Sequence, residues 1–135
     1  RWGQGVQQDF ETARGWYRRS ADQGNPTAQS NLGLVYWYGL GVSKDHKRAF
    51  HWFLRAAEQG NAAGQSHLGL MYFEGKGVAQ DYVQSYKWAY LSANQGQDQA
   101  IQGLSMLEKV MTLEQIEEAK ALARNWRSKG QEEVL

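Results

Sequence analysis

Residues 28–60 read AQSNLGLVYWYGLGVSKDHKRAFHWFLRAAEQG, and this stretch decides the fold because much of it recurs on either side at a fixed step. Gly39-x-Gly41-Val42-x-x-Asp45 has counterparts in Gly3-x-Gly5-Val6-x-x-Asp9 and Gly75-x-Gly77-Val78-x-x-Asp81, each 36 residues away. The same step carries Trp16 to Trp52 to Trp88, Ala21 to Ala57 to Ala93, Gly24 to Gly60 to Gly96 and Leu32 to Leu68 to Leu104. It also carries Gly33 to Gly69 and Tyr36 to Tyr72. A period of this length marks an array in which each copy buries its apolar face against the next.

Each copy reads as two antiparallel helices, A and B. Asn25 can cap helix A, Pro26 takes the first helical position, where a missing N–H costs nothing, and Ala28, Leu32, Val35 and Tyr36 follow at helical spacing. Gly39 can supply the left-handed residue that ends it. Asp45 then caps helix B, from about His46 to Gln59, in which Ala49, Trp52, Phe53 and Ala56 form one apolar stripe. Ala28, Gly33, Ala49, Ala57, Gly69 and Ala93 let backbones approach closely, and Trp16, Trp52 and Trp88 are expected in the core.

Both ends depart from the pattern. The first Gly-x-Gly-Val turn has no helix A ahead of it, so a lone B helix over about residues 10 to 23, capped by Asp9, is expected to leave an apolar flank open. Near the other end Glu108 stands where Tyr72 would recur and Met111 where Gly75 would. Thr112-Leu113-Glu114-Gln115 instead reads as a capping box that opens a helix to about Ser128, with Leu113, Ile116, Ala119, Ala123 and Trp126 on its apolar side. The reading is one domain over 1–135: a partial repeat 1–24, repeats 25–60 and 61–96, a last A helix 97–111, a capping helix 112–129 and a tail 130–135.

Composition narrows the function classes. Lys and Arg total 15 against 14 for Asp and Glu, a net charge of +1, so no long-range field steers the chain to nucleic acid or an acidic membrane. The chain has no Cys, which removes disulfides, thiolate catalysis and Cys-based zinc sites. No apolar run approaches the roughly 18 to 20 residues that cross a bilayer, so direct membrane insertion is not expected. A start at Arg1 is what an excised or processed chain would show.

Several motifs suggest chemistry and have a plainer reading. Gly39-Leu40-Gly41-Val42-Ser43-Lys44 resembles the start of a phosphate-binding loop, but a helix precedes it rather than a strand, and its recurrence points to a structural turn. His46 and His51 lie about 140° apart around one helix and do not share a face as two metal ligands would, and with His67 they read as ordinary surface or groove histidines. Asp9, Asp45 and Asp81 are explained as caps. The basic groups Arg14, Arg18 and Arg19, and Lys44, Lys47 and Arg48, read as solvated faces, with contact to an acidic protein as the functional alternative. Neither a metal nor a cofactor is called for.

The pattern Ala-x-x-x-Leu-Gly-x-x-Tyr-x-x-Gly-x-Gly-Val-x-x-Asp-x-x-x-Ala-x-x-Trp-x-x-x-Ala-Ala-x-x-Gly resembles the Sel-1-like repeat, a relative of the tetratricopeptide repeat with a longer turn. Residues 28–60 match it at nearly every position; residues 64–96 put Gly64, Ser85 and Ser92 in place of Ala. The resemblance implies an all-α fold, a right-handed α/α superhelix (solenoid) of antiparallel helix pairs. It also implies an adaptor role without shared catalytic residues, and bacterial relatives in the periplasm or secreted.

In the tetratricopeptide fold the A helices line the concave face, and aligning Leu32-Gly33 with that fold sends Ser30, Leu34, Trp37 and Tyr38 inward, followed by Ser66, Leu70, Phe73 and Glu74. These residues are the candidate groove for a peptide or another protein; the alternative is that Trp37 and Phe73 pack between stacked repeats. The expected function is therefore a protein-binding scaffold, with homo-oligomerisation through the incomplete first repeat as the second reading and an enzyme as the third.

Overall fold

The structure, a computed structural model, describes residues 2–128, with side chains from residue 9 onward. Among them are seven helices and no strand: α1 (Trp2–Asp22), α2 (Pro26–Tyr38), α3 (His46–Glu58), α4 (Ala62–Glu74), α5 (Tyr82–Ala93), α6 (Asp98–Glu108) and α7 (Leu113–Asn125). The fold is an all-α helical repeat solenoid. The A helices are α2, α4 and α6; α3 and α5 are B helices, and each packs on the A helix before it and the one after it.

Local chemistry sets the helix ends as the repeat requires. The side chains of Asn25 and Asn61 accept from the backbone N–H of Ala28 and Gly64 at 2.9 and 2.7 Å, and those of Asp45 and Asp81 from Arg48 and Gln84 at 3.1 Å each. The same step puts Gln97 at the start of α6, one methylene too long to cap, and it makes no such bond. Gly39 and Gly75 both sit at φ +71° and end α2 and α4 in the left-handed region. Each turn is tied back to the helix before it, Asp45 N–H to the Tyr36 carbonyl at 2.9 Å and Asp81 N–H to that of Tyr72 at 3.0 Å.

Buried glutamines join consecutive units. Gln29 donates to the Ala21 carbonyl at 3.1 Å and accepts from Gln59 at 2.7 Å; 36 residues on, Gln65 donates to the Ala57 carbonyl at 3.3 Å and accepts from Gln95 at 2.9 Å. Ser85 and Ser92, which replace Ala in the repeat pattern, donate to the carbonyls of Gly69 (2.6 Å) and Ala62 (2.7 Å) on α4. Among the described residues no buried side-chain donor or acceptor lacks a partner.

Three expectations are corrected. Helix α1 runs unbroken from Trp2, so the Gly3 to Asp9 segment is helical and Asp9 lies within a helix instead of capping one. The later turns hang on the carbonyls of Val35 and Tyr36 and of Met71 and Tyr72. Trp16 is 64% exposed, whereas Trp52 and Trp88 are each 4% exposed. Trp52 lies under the guanidinium groups of Arg18 from α1 and Arg55, whereas Trp16, among the described residues, has that of Arg19 alone, 5.3 Å over its ring. Leu113 is 82% exposed because it is the first residue of α7, beyond the packed stretch that starts at Ile116.

The capping box of α7 forms in both directions, Gln115 N–H to Thr112 Oγ1 at 3.1 Å and Thr112 N–H to Gln115 Oε1 at 3.0 Å. Helix α7 packs on α5, and Trp126 meets Trp88 edge-on at 6.0 Å. Tyr86, buried at this junction, donates to Glu108 at 2.8 Å. Burial first, and the Glu108 bond second, push its phenol well above the ordinary tyrosine range.

A candidate binding groove

Small residues meet between the A helices α4 and α6 and leave a pocket of about 370 Å³, the size of a small-ligand or side-chain site. Its floor is Ser85 and Ala89 of α5; Gly69 and Leu70 form one wall, Gly103 and Met106 the other. The reason for the space lies in the 36-residue step. One unit earlier, the ring of Phe53 fills the slot beside Gly33 so tightly that a Cβ there would lie 2.5 Å from it. His67 lies flat on that ring, centroids 4.5 Å apart and planes within 7°. The counterparts of Phe53 and His67 are Ala89 and Gly103, so the next slot loses both rings.

Six of the eight anticipated residues come together here: Trp37, Tyr38, Ser66, Leu70, Phe73 and Glu74 all line the pocket. Ser30 and Leu34 do not. Ser30 is buried, and Leu34 packs partly buried against the core cluster that holds Leu32 and Phe53. Trp37 and Phe73 do both things weighed for them, since each is partly buried against a core cluster and each reaches the pocket wall. Three large apolar side chains stand open at its mouth, Tyr38 at 58%, Leu70 at 43% and Met106 at 56% exposure.

Charge around the groove is slight and paired. Glu74 lies 3.9 Å from Lys76, whose ammonium stands 5.6 Å over the Trp37 ring. His67, on the pocket wall, has Nδ1 2.8 Å from the Ala63 carbonyl, so that nitrogen carries the proton of a neutral ring. Its burial lowers its pKa below 6.5, against the opposing effect of that hydrogen bond. Away from the groove, Arg18, Arg48 and His51 border a cleft of about 270 Å³, but both guanidiniums already face carboxylates, Asp22 at 3.1 Å and Asp45 at 3.6 Å. The three histidines rest on three different rings, His46 on Trp37, His51 on Trp52 and His67 on Phe53. Among the described residues no cluster of His, Asp or Glu is placed to hold a metal ion, and no helix is long and apolar enough to cross a membrane.

The residues that sequence reasoning missed are His67 and Gly69 of α4 and those of α5 and α6. Met106 lies one step beyond Leu70, so the period could have found it. Ala89 and Gly103 act by lacking side chains, and a search for residues that recur passes over them.

The family model described as Sel1 repeat matches residues 1–25, 26–61 and 62–97. No curated protein matches the chain. A solved structure of a protective antigen present in uropathogenic Escherichia coli strains, displaying an SLR fold, is 35% identical with a TM-score of 0.80 over 84% of this chain and 24% of its own. A Sel1 repeat protein from Oxalobacter formigenes is 29% identical with a TM-score of 0.71, over 89% of this chain and 49% of its own. The chain thus spans about a quarter and about half of the lengths of these two proteins.

Proposed function

This chain belongs to the Sel1 repeat family, commonly protein-interaction scaffolds, and from that premise we propose that it holds another protein in the groove beside α4 and α6, on the concave face of the solenoid. The observation that carries the reading is the cluster of Tyr38, Leu70 and Met106, exposed together at the mouth of one pocket that Trp37 and Phe73 also line. Large apolar side chains gathered on a surface are a mark of protein contact, and aromatic ones carry most of the energy of such contacts. The groove has no net charge of its own to attract a polyanion. The three histidines, each on a separate ring, lend no support to catalysis.

The test is the joint replacement Trp37→Ala and Phe73→Ala, followed by capture of partners from the native host and by circular dichroism. Capture is expected to fall at least tenfold while the helical signal stays. Undiminished capture by a folded variant overturns the reading.

A second reading, self-association, is favoured by Trp16 alone, whose ring is open where its two counterparts are covered. On this reading α1 packs against another copy of the chain. Sedimentation at high concentration is then expected to show a species larger than the monomer that Trp16→Ala disperses; a monomer throughout removes it.

A further inference from the structure

We infer that the slot between α4 and α6 is a socket for one aromatic side chain, delivered by the protein that occupies the groove. The inference rests on the groove reading above and adds what it leaves open, the chemistry of the residue that anchors the partner.

The protein itself shows what fits. Two slots of the same construction lie 36 residues apart. In the first, Gly33 opens the α2 wall, the Phe53 ring rises from α3 to lie against it, and His67 of α4 closes over the ring as a parallel stack. In the second, Gly69 opens the α4 wall in the same way, but α5 offers Ala89 and α6 offers Gly103, leaving about 370 Å³. The second slot keeps the glycine wall of the first and lacks both of the side chains that fill it.

The remaining lining agrees with a planar apolar guest. Phe73, stacked at 5.7 Å on Tyr82, and Leu107 are fixed by the second core cluster, so the walls do not collapse inward. The Ser85 hydroxyl is already committed to the Gly69 carbonyl at 2.6 Å and presents no unpaired donor to the cavity. A ring entering past Leu70 and Met106 would exchange water for apolar surface on both faces and leave no polar group of the socket unsatisfied. Aliphatic side chains would enter the same space without laying a flat face on Gly69.

The experiment uses this whole chain and a random dodecapeptide library displayed on phage. The filled variant Ala89→Phe with Gly103→His restores the ring pair of the preceding slot. A second variant, Gly69→Ala, keeps the fold, since its Cβ stays 3.3 Å or more from its neighbours, but obstructs the wall where a ring must lie. Peptides selected on the native chain are expected to share one aromatic residue, whose change to Ala weakens binding at least tenfold, and to lose binding to both variants. N-acetyl-phenylalanine amide is expected to shift the amide resonances of Gly69, Ala89 and Gly103 more than N-acetyl-alanine amide does at the same millimolar concentration.

Peptides that bind the filled variant as well as the native chain, yet fail on Trp37→Ala with Phe73→Ala, overturn the socket and leave the groove standing. Peptides that fail on the filled variant but survive Trp37→Ala alone support the socket and count against the wider groove. Shifts from the phenylalanine amide no larger than those from the alanine amide overturn the socket whatever the variants do.

Discussion

At Gly33 a single methyl group decides whether two helices can meet. An alanine Cβ there would stand 2.5 Å from the ring of Phe53, which is fully buried and has nowhere to move. Gly33→Ala is therefore expected to destabilise the fold by about 1 to 3 kcal/mol, even after the gain in helix propensity. At Gly69 the same methyl meets Ser85 and Ala89 at 3.3 to 3.4 Å, and Gly69→Ala is expected to stay within about 1 kcal/mol of the native chain. Parallel urea titrations check the pair; equal effects would mean that the two slots are filled alike. His67 gives a pH signature. Its folded pKa lies below its unfolded value of 6.5, so between these values the unfolded chain binds more protons. The stability tied to the neutral, stacked imidazole is complete above pH 6.5 and declines as pH falls toward the lowered folded value. Thermal unfolding from pH 7.5 to 5 should show a drop in Tm that shrinks in His67→Gln; an identical drop in both proteins would assign it to other groups.

Between elements, the glutamines do what propensity alone does not foresee. Gln65 is fully buried, with its amide nitrogen on the Ala57 carbonyl and its oxygen taking a bond from Gln95, whose side chain stands at the surface. Gln65→Leu should cost about 1 to 3 kcal/mol, because it removes both bonds of a fully buried amide although the Ala57 carbonyl keeps the Gly60 N–H at 2.9 Å, and Gln95→Ala only about 0.5 to 1.5 kcal/mol, because water can replace it. The opposite order in denaturant titrations would show that the bridge contributes little. The helices themselves were legible in the sequence, since Asn, Asp and Gly at fixed steps are direct instructions for caps and turns. The glutamine bridge was not, although Gln29 and Gln65 recur, because glutamine reads as a surface residue until its partners are known. Trp16 shows the converse failure: the period marks it as core, yet it is 64% exposed, because recurrence records a position and not what packs on it. The groove was legible as a set of α2 and α4 positions, whereas the depth of its pocket was set by residues with nothing to show, Ala89 and Gly103.

Across the whole molecule, stability is a sum over neighbours. Helices α3 and α4 are packed on both sides along the array, as is α5, which also carries α7, while α1 packs on α2 alone among its larger contacts. Amide hydrogen exchange is therefore expected to be slowest in α3, α4 and α5 and faster in α1, with the difference set by local opening rather than by global unfolding. Equal protection in α1 would require a second surface on it, as in an assembled dimer. The two slots also differ in a way that concerns affinity. Phe53 reaches its place on a short tether, so its effective concentration never falls, while a ring arriving from solution must give up its freedom to tumble and diffuse. Burying one such ring is worth about 1.5 to 3 kcal/mol, which corresponds to a Kd in the millimolar range or weaker. One ring alone is thus a rapidly exchanging grip, and firm retention of a partner must come from avidity, through several weak grips engaged at once along the array.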